Sequence, residues 1–303
     1  MKLPALFLAL AACAVPDRVQ TSADGRAVTL DHGRSRVHVE IEGDPAPEQR
    51  AAIVAWVQDA VRAVAEYYGR FPVDAVRLAV RLQPGEDIGG GVASTEAGMP
   101  LIRIRVGAGA GARSFADDWE LTHELVHTAF PELAPEHHWL EEGLATYVEP
   151  FARARIGLES EADVWGQLVE GLPKGQPRRG DRGLDRTPTW GRTYWGGALF
   201  CFVADVRIRE RTENRLGLRD ALRALVDDGW TMRRWARIED VLARMDATVG
   251  APVLTELYAQ HARDAVRIDL GDLWKRLGVV YHRGRVTFDD SAPRADIRRA
   301  MIR

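Results

Sequence analysis

Hydrophobic and polar positions alternate in the first part of the chain and then change to a helical period. Apolar residues occupy every second position from 37 to 41, and a turn-forming Asp-His-Gly segment precedes them, which predicts a β-hairpin over residues 27 to 42. From Pro47 to Tyr68 the apolar positions recur at helical spacing, and Gly69 follows as a helix stop. We therefore expect one long amphipathic helix after the hairpin.

Two further apolar runs, at residues 76 to 82 and 101 to 106, predict two more strands. The glycines at positions 89 to 91 lie between these runs. Strands on both sides of a helix are typical of a small α/β lobe, and we expect this lobe, with a mixed sheet, to span residues 27 to 112.

The second part of the chain has a mainly helical pattern from residue 113 to residue 265. A segment rich in Pro, Gly and Arg interrupts it at residues 172 to 191, and this segment is either a solvated connector or the rim of a cleft. Residues 266 to 303 predict a short helix, a hairpin and a terminal helix. The expected fold class is therefore α+β, a small α/β lobe followed by a mainly helical catalytic lobe.

The N-terminal segment follows neither pattern. A single lysine precedes a short apolar run at residues 3 to 12, which resembles a secretory signal and is too short to span a membrane. The run ends in Leu-Ala-Ala-Cys, which resembles a bacterial lipobox, so we expect residues 1 to 13 to be a lipoprotein signal and Cys13 to be lipidated. Cleavage after Ala14 is the alternative. Residues 14 to 26 are expected to form a linker.

Composition and charge narrow the expected location and partners. With 46% hydrophobic and 28% charged residues the chain has a globular composition, and no segment after the leader has ~18 consecutive apolar residues. Membrane contact is therefore expected only through the lipid anchor, and the protein is expected in the bacterial periplasm or cell envelope. A net charge of −3 provides no positive field for nucleic acid, which is not an expected partner.

The segment with the clearest chemistry is His-Glu-Leu-Val-His, which lies in a helix predicted over residues 115 to 130 with its start at Ser114. His123 and His127 are four residues apart, so both imidazoles project from one helix face and can bind one ion. Two neutral imidazoles suit Zn²⁺. The carboxylate of Glu124 lies beside them, where it can accept a proton from water at the metal.

A catalytic zinc ion also requires a third protein ligand. Pro135 is a favourable first residue for a second helix, which we expect to end at Pro150. Because the connection is short, the two helices are expected to be antiparallel neighbours, with Glu142 facing the histidine pair. His137 and His138 remain alternative third ligands.

These two segments together resemble the gluzincin zinc metallopeptidases of the peptidase MA clan, specifically the alanyl and glycyl aminopeptidase branch. The resemblance rests on His-Glu-x-x-His and on a second glutamate in the sequence Trp-Leu-x-Glu-Gly-Leu-Ala. It implies a thermolysin-like catalytic domain with one zinc ion in the cleft between the lobes. It also implies that Glu142 is the third zinc ligand and Glu124 the general base.

The sequence Tyr-Trp-Gly-Gly-Ala, which begins at Tyr194, resembles the Tyr-x-x-Gly-Ala helix of the glycyl aminopeptidases. The resemblance implies that the Tyr194 hydroxyl donates a hydrogen bond to the oxyanion of the tetrahedral intermediate. Gly196 and Gly197 also permit a close helix crossing. The alternative is that Tyr194 is an aromatic residue of the interface between helices.

Longer aminopeptidases carry a Gly-x-Met-Glu-Asn strand whose glutamate binds the free amine of the substrate. At the corresponding place this chain has Gly90, Gly91, Val92 and Ala93, and Glu96 lies out of register with that glutamate. The glycines admit a peptide backbone, so these four residues are expected to bind substrate. The choice between aminopeptidase and endopeptidase action stays open.

The predicted function is that of a zinc-dependent metallopeptidase that acts on a peptide or protein substrate. A non-catalytic zinc-binding or pseudopeptidase lipoprotein, acting as a binding module, is the alternative from another class. A zinc hydrolase of non-peptide substrates would use the same residues and is not separated from a peptidase by the sequence.

Overall fold

The computed structural model describes residues 18 to 22 and 26 to 303. The predicted signal, its alternative cleavage site and the lipidation of Cys13 lie outside the described residues. The described strands form a six-stranded mixed sheet in the order β1-β2-β3-β4-β6-β5, in which the pairs β3/β4 and β4/β6 are parallel. The strands are β1 (Arg18–Thr21), β2 (Ala27–His32), β3 (Ser35–Glu42), β4 (Ala75–Gln83), β5 (Ile88–Glu96) and β6 (Met99–Gly107).

The first helix, α1 (Pro47–Tyr68), has the bounds that the sequence predicts. A proline stands in its first turn, and Gly69 ends it in the left-handed conformation with φ of 82°. Most of its apolar residues are buried, and the alternating pattern of β3 and β4 buries every second residue of those strands. The predicted hairpin, helix and two later strands are therefore confirmed.

Two strands of the sheet were not expected. Residues 18 to 21 lie in the predicted linker and form β1, which pairs with β2. The glycine-rich stretch forms β5, an edge strand that pairs antiparallel with β6 and has a register shift between Gly89 and Val92. Glycine has a low strand propensity, so β5 depends on hydrogen bonding to β6 rather than on its own sequence.

The rest of the chain is mainly helical, which gives an α+β fold as predicted. The described helices are α2 (Ala112–Asp117), α3 (Glu120–Val126), α4 (His138–Arg155), α5 (Glu161–Gly171), α6 (Gly197–Arg211), α7 (Leu218–Asp227), α8 (Ile238–Val249), α9 (Val253–His261), α10 (Leu270–Leu277) and α11 (Ala295–Ile302), with a hairpin of β7 (Val279–His282) and β8 (Arg285–Phe288). None of the helices described here is long and apolar enough to cross a bilayer. The boundaries proposed between the domains stay predictions.

The helix predicted over residues 115 to 130 is wrong in its extent. The backbone is extended at Asp118, which separates α2 from α3. The Asp118 carboxylate accepts hydrogen bonds from the backbone N–H groups of Glu120 and Leu121, each at 3.2 Å, and from Trp56 Nε1 at 2.9 Å. Asp118 therefore caps α3, and Ser114 does not start the helix that carries the histidines.

The second predicted helix is also shifted. Pro135 opens a 3₁₀ turn, α4 begins at His138, and it continues through Pro150 to Arg155. Pro150 removes one hydrogen bond from the helix interior. Phe151 and Ala152, which follow it, are fully packed in the core, so tertiary packing outweighs that loss.

Candidate metal centre

Two histidines from α3 and its C-terminal end meet one glutamate of α4. Nε2 of His123 is 3.2 Å from Oε2 of Glu142, and Nε2 of His127 is 3.7 Å from the same oxygen. One ligand atom from each of the three side chains lies within 4.8 Å of the others. Within residues 18 to 22 and 26 to 303, no second group of His, Cys, Asp and Glu side chains has this arrangement.

The segment between the helices determines which of two adjacent glutamates faces the histidines. The backbone N–H of Leu133 donates to Oε1 of Glu141 at 3.0 Å, so Glu141 ties the connecting segment to α4. Glu142 is the next residue, so its side chain projects from a different face of α4, and its carboxylate contacts the histidines. Glu142, and not Glu141, is therefore placed to supply the third ligand atom.

The electrostatic environment favours the protonation states that a metal requires. Burial lowers the pKa of His127 to about 4, and the neighbouring His123 acts in the same direction. Burial opposes ionisation of Glu142, but hydrogen bonds from His123 and His138 hold the pKa of Glu142 well below its usual range. A neutral imidazole and an ionised carboxylate are the ligand forms of these side chains.

The donor set fits zinc. Two imidazole nitrogens and one carboxylate oxygen form the His₂Glu set of catalytic zinc sites, which leave a position for water or substrate. His123 is 3% exposed, and the side chains of His127 and Glu142 are largely buried. These three residues are therefore those that would hold the ion.

Glu124 lies next to this group and is buried. Burial raises the pKa of Glu124 to about 8, and the negative charges of Glu142 and Glu120 add to the shift. The backbone N–H of Ala93 in β5 donates to its carboxylate and acts in the opposite direction. A carboxylate with a raised pKa, held beside a candidate zinc site, is suited to accept and return a proton near neutral pH.

Sequence reasoning missed Glu120. Its Oε1 accepts a hydrogen bond from the backbone N–H of Gly91 at 2.5 Å, which ties the start of α3 to the irregular part of β5. Gly90, in the same irregular part, has φ of 67°, a conformation that favours glycine. The contact joins residues far apart in sequence, so no local pattern could have indicated it.

Tyr194 lies in a π-helical turn, Gly191–Gly196, that leads into α6. Its ring stacks near His123 with 6.3 Å between ring centroids. Burial raises the pKa of Tyr194, and the negative charges of Glu142 and Glu124 raise it further. The hydroxyl is therefore protonated at neutral pH, and its hydrogen bond to the Glu142 carboxylate acts in the same direction on the pKa.

The π-helical turn is fixed by buried contacts on both sides. Arg192 Nε is 2.8 Å from the Asp181 carboxylate, and its Nη1 donates to the carbonyl of Gly175 at 2.5 Å. A Cβ atom at Gly197 would lie 2.0 Å from the carbonyl oxygen of Trp139 in α4. The close helix crossing predicted at Gly196 and Gly197 is therefore present, and Gly197 is the residue that contacts α4.

The two other histidines proposed as third ligands occupy different positions. His138 Nδ1 is 3.1 Å from Glu141 and its Nε2 is 3.2 Å from Oε1 of Glu142, so it contacts the far oxygen of the ligand carboxylate. His137 Nδ1 is 3.0 Å from Asp185. Neither histidine belongs to the group of three residues that can hold a metal.

The four residues expected to bind substrate lie in the edge strand β5, which contacts Glu124 and Glu120. Val92 is exposed, while the N–H of Ala93 is used by Glu124 and that of Gly91 by Glu120. The outer edge of β5 has no neighbouring strand in the described sheet. Such an edge is where an extended peptide can pair.

Comparison with known proteins supports the fold. No protein-family model and no curated protein matches the chain. Among solved structures, an aminopeptidase N family protein from Idiomarina loihiensis is similar with a TM-score of 0.60 and 14% identity, over 88% of this chain and 50% of that chain. An M1 zinc metallopeptidase from Deinococcus radiodurans has a TM-score of 0.47 and 18% identity, over 82% and 51%. The chain thus spans about half the length of these proteins.

Proposed function

We propose that the protein is a zinc-dependent metallopeptidase that hydrolyses peptide bonds. The observation that carries the proposal is the grouping of His123, His127 and Glu142 within 4.8 Å, with the buried carboxylate of Glu124 beside it. The fold shared with the aminopeptidase N family protein from Idiomarina loihiensis supports it.

Each residue of the site has a distinct task in this proposal. A zinc ion held by His123, His127 and Glu142 would supply Lewis acidity to the site. Glu124 accepts a proton from the attacking water and returns it to the nitrogen of the leaving amine. The Ala93 N–H, which donates to the Glu124 carboxylate, orients that carboxylate before the reaction.

Tyr194 is the proposed oxyanion donor. Its hydroxyl remains protonated because burial and nearby carboxylates raise its pKa. The π-helical turn, held by Arg192, fixes the ring close to His123. A donor fixed in this way stabilises negative charge as it develops on the carbonyl oxygen.

The substrate backbone is proposed to pair with the edge strand at Gly90, Gly91, Val92 and Ala93. Pairing along β5 would lay the peptide over Glu124, because the carboxylate of Glu124 lies against this strand. Aminopeptidase and endopeptidase action are distinguished by digesting the same peptides with free and with acetylated N termini.

We further propose that the protein is exported and anchored in the bacterial cell envelope through lipid on Cys13. The support is the sequence of residues 1 to 13. Mass spectrometry of the mature N terminus tests this proposal. A diacylated Cys13 is expected, and Cys13→Ala should release the protein from the membrane fraction.

The central test is Glu124→Gln, with Glu136→Gln as a control at an exposed glutamate near the site. The amide cannot accept the proton, so we expect peptide cleavage to fall by at least about 100-fold. Metal analysis should still find one zinc ion, whereas His123→Ala should lose it. Cleavage by Glu124→Gln at the wild-type rate would end the proposal.

The same measurements separate the alternative function. Zinc bound by the wild-type protein, without cleavage of any peptide in a library, would identify a non-catalytic zinc-binding module. Cleavage that chelation abolishes and zinc restores is the result expected of a peptidase.

A further inference from the structure

A cavity of about 780 Å³ adjoins the candidate metal centre. Tyr194 belongs to both, since its ring stacks near His123 and also lines the cavity. Three tryptophans, Trp119, Trp190 and Trp195, line the same cavity, which we call the tryptophan pocket. Its position beside the proposed oxyanion donor makes it accessible to a residue next to the bond that is cut.

The aromatic rings form a continuous surface from the metal ligands into the pocket. Trp119 contacts His123 edge to face at 5.6 Å between centroids, and Trp190 lies 6.1 Å from Tyr194. Trp119 comes from the N-terminal end of α3, whereas Trp190 precedes the π-helical turn. Two separate elements therefore present indole rings to one space.

These indole rings are unusually exposed for their size. Trp119 is 51% exposed and Trp190 is 63% exposed. Apolar area that a ligand removes from water favours binding, and aromatic pairs add specific contacts. An aromatic side chain would bury the largest apolar area against these rings.

Five carboxylates and two cations line the pocket, and most of them have partners in the pocket or beside it. Arg153 contacts both Glu149 and Glu159, and Glu170 accepts a hydrogen bond from Tyr281. Lys174 already lies over the ring of Trp195, 5.4 Å from its centroid. The lining carboxylates oppose an acidic side chain, and Arg153 and Lys174 oppose a cationic one, so neither sign of charge is favoured throughout the pocket.

We propose that the tryptophan pocket binds the side chain of the substrate residue adjacent to the scissile bond and prefers an aromatic side chain. This inference rests on the proposed function, because it assigns the substrate preference of the same site. The pocket selects by apolar contact with Trp119 and Trp190 rather than by charge.

The experiment uses peptides that differ at one residue, which is Phe, Leu, Ala, Arg or Asp, each with a free and an acetylated N terminus. Mass spectrometry locates the cut, and kcat/KM is measured for each peptide. We expect cleavage next to Phe to be about 10-fold more efficient than next to Ala. In Trp119→Ala and Trp190→Ala this ratio should fall toward one.

Trp235→Ala is the matched control, because Trp235 is 62% exposed and does not line the pocket. Its Phe-to-Ala ratio should equal that of the wild type. A preference for Arg or Asp, or a Phe preference that survives both pocket variants, would overturn the inference while leaving the peptidase proposal intact.

If the wild-type protein cleaves no peptide, the proposed function fails, and the preference of the pocket is then tested by peptide binding alone. Calorimetry with the Glu124→Gln protein then compares the Phe and Ala peptides. Tighter binding of the Phe peptide that Trp190→Ala removes supports the pocket, and equal binding of the two peptides contradicts it.

Discussion

The backbone of Gly91 lies directly against the side chain of Glu124. A Cβ atom at position 91 would be 2.6 Å from Cγ and 2.9 Å from Oε1 of Glu124. Non-bonded carbon atoms do not approach this closely, so any other residue at 91 must displace either β5 or the carboxylate. The edge strand and the proposed general base therefore determine each other's position.

Gly91→Ala should consequently lower catalysis without removing the metal. A misplacement of about 1 Å in a catalytic group can cost about 100-fold in rate, and we expect kcat to fall by that order. Zinc content should stay at the wild-type level, because the atoms nearest to an added Cβ at position 91 belong to Glu124 and not to His123, His127 or Glu142. Gly111→Ala is the control, since a Cβ there has open space and its φ is −108°. Wild-type kcat in Gly91→Ala would contradict this relationship.

Glu120 should act as a positioning residue for the same strand. Its hydrogen bond from Gly91 N–H is lost in Glu120→Ala but can be kept by the amide oxygen of Glu120→Gln. We expect kcat of Glu120→Ala to fall about tenfold and Glu120→Gln to recover most of it. Hydrogen exchange of the Gly91 amide gives a readout independent of activity. Equal exchange in the two variants would show that Glu120 does not hold the strand.

Gly143 follows the proposed ligand Glu142 and allows α4 to approach α6. A Cβ at Gly143 would lie 2.2 Å from Cα of Gly197, so Gly143→Ala must separate the two helices. We expect a loss of about 1 to 3 kcal/mol in the free energy of unfolding and weaker zinc binding, both from denaturant titration and metal competition.

Gly166→Ala is the matched control for that substitution. Gly166 also lies in a helix, α5, but the nearest atom to an added Cβ is Val286 Cγ2 at 3.9 Å. Alanine there should stabilise the protein by about 0.5 to 1 kcal/mol and leave zinc affinity unchanged. Similar destabilisation in both variants would mean that helix glycine itself, not the crossing, is responsible.

The parts of the structure that the sequence predicted are those defined by local signals. The bounds of α1 follow from Pro47 and Gly69, which start and stop a helix whatever its surroundings. The spacing of His123 and His127 fixes their common face in the same local way. The approach of Glu142 could be expected because the connection between the helices is short.

The parts that the sequence did not predict depend on distant contacts. The break before α3 requires the Asp118 carboxylate, which Trp56 of α1 also holds. The strand β5 has few strand-forming residues and exists because β6 and Glu120 supply partners. The segment from residue 172 to 191 contributes Lys174 and Trp190 to the tryptophan pocket, which only the folded chain shows.

Glu149 gives the protein a specific pH dependence of stability. It is buried, and burial together with the negative charge of Glu159 raises its pKa from 4.5 to about 8, against the opposing effect of Arg153. The folded state therefore binds this proton more tightly than the unfolded chain does. The stabilisation that comes from binding this proton is complete below pH 4.5 and is lost as the pH rises through 8.

Glu149→Gln removes this dependence, because the amide does not ionise but can still accept a hydrogen bond from Arg153. Between pH 5 and pH 8 the wild-type free energy of unfolding should fall by on the order of 3 kcal/mol relative to that of the variant. Urea titrations at both pH values measure the difference, with Glu40→Gln as an exposed control that should follow the wild type. Parallel curves for wild type and Glu149→Gln would show that Glu149 is already ionised in the folded protein at pH 5.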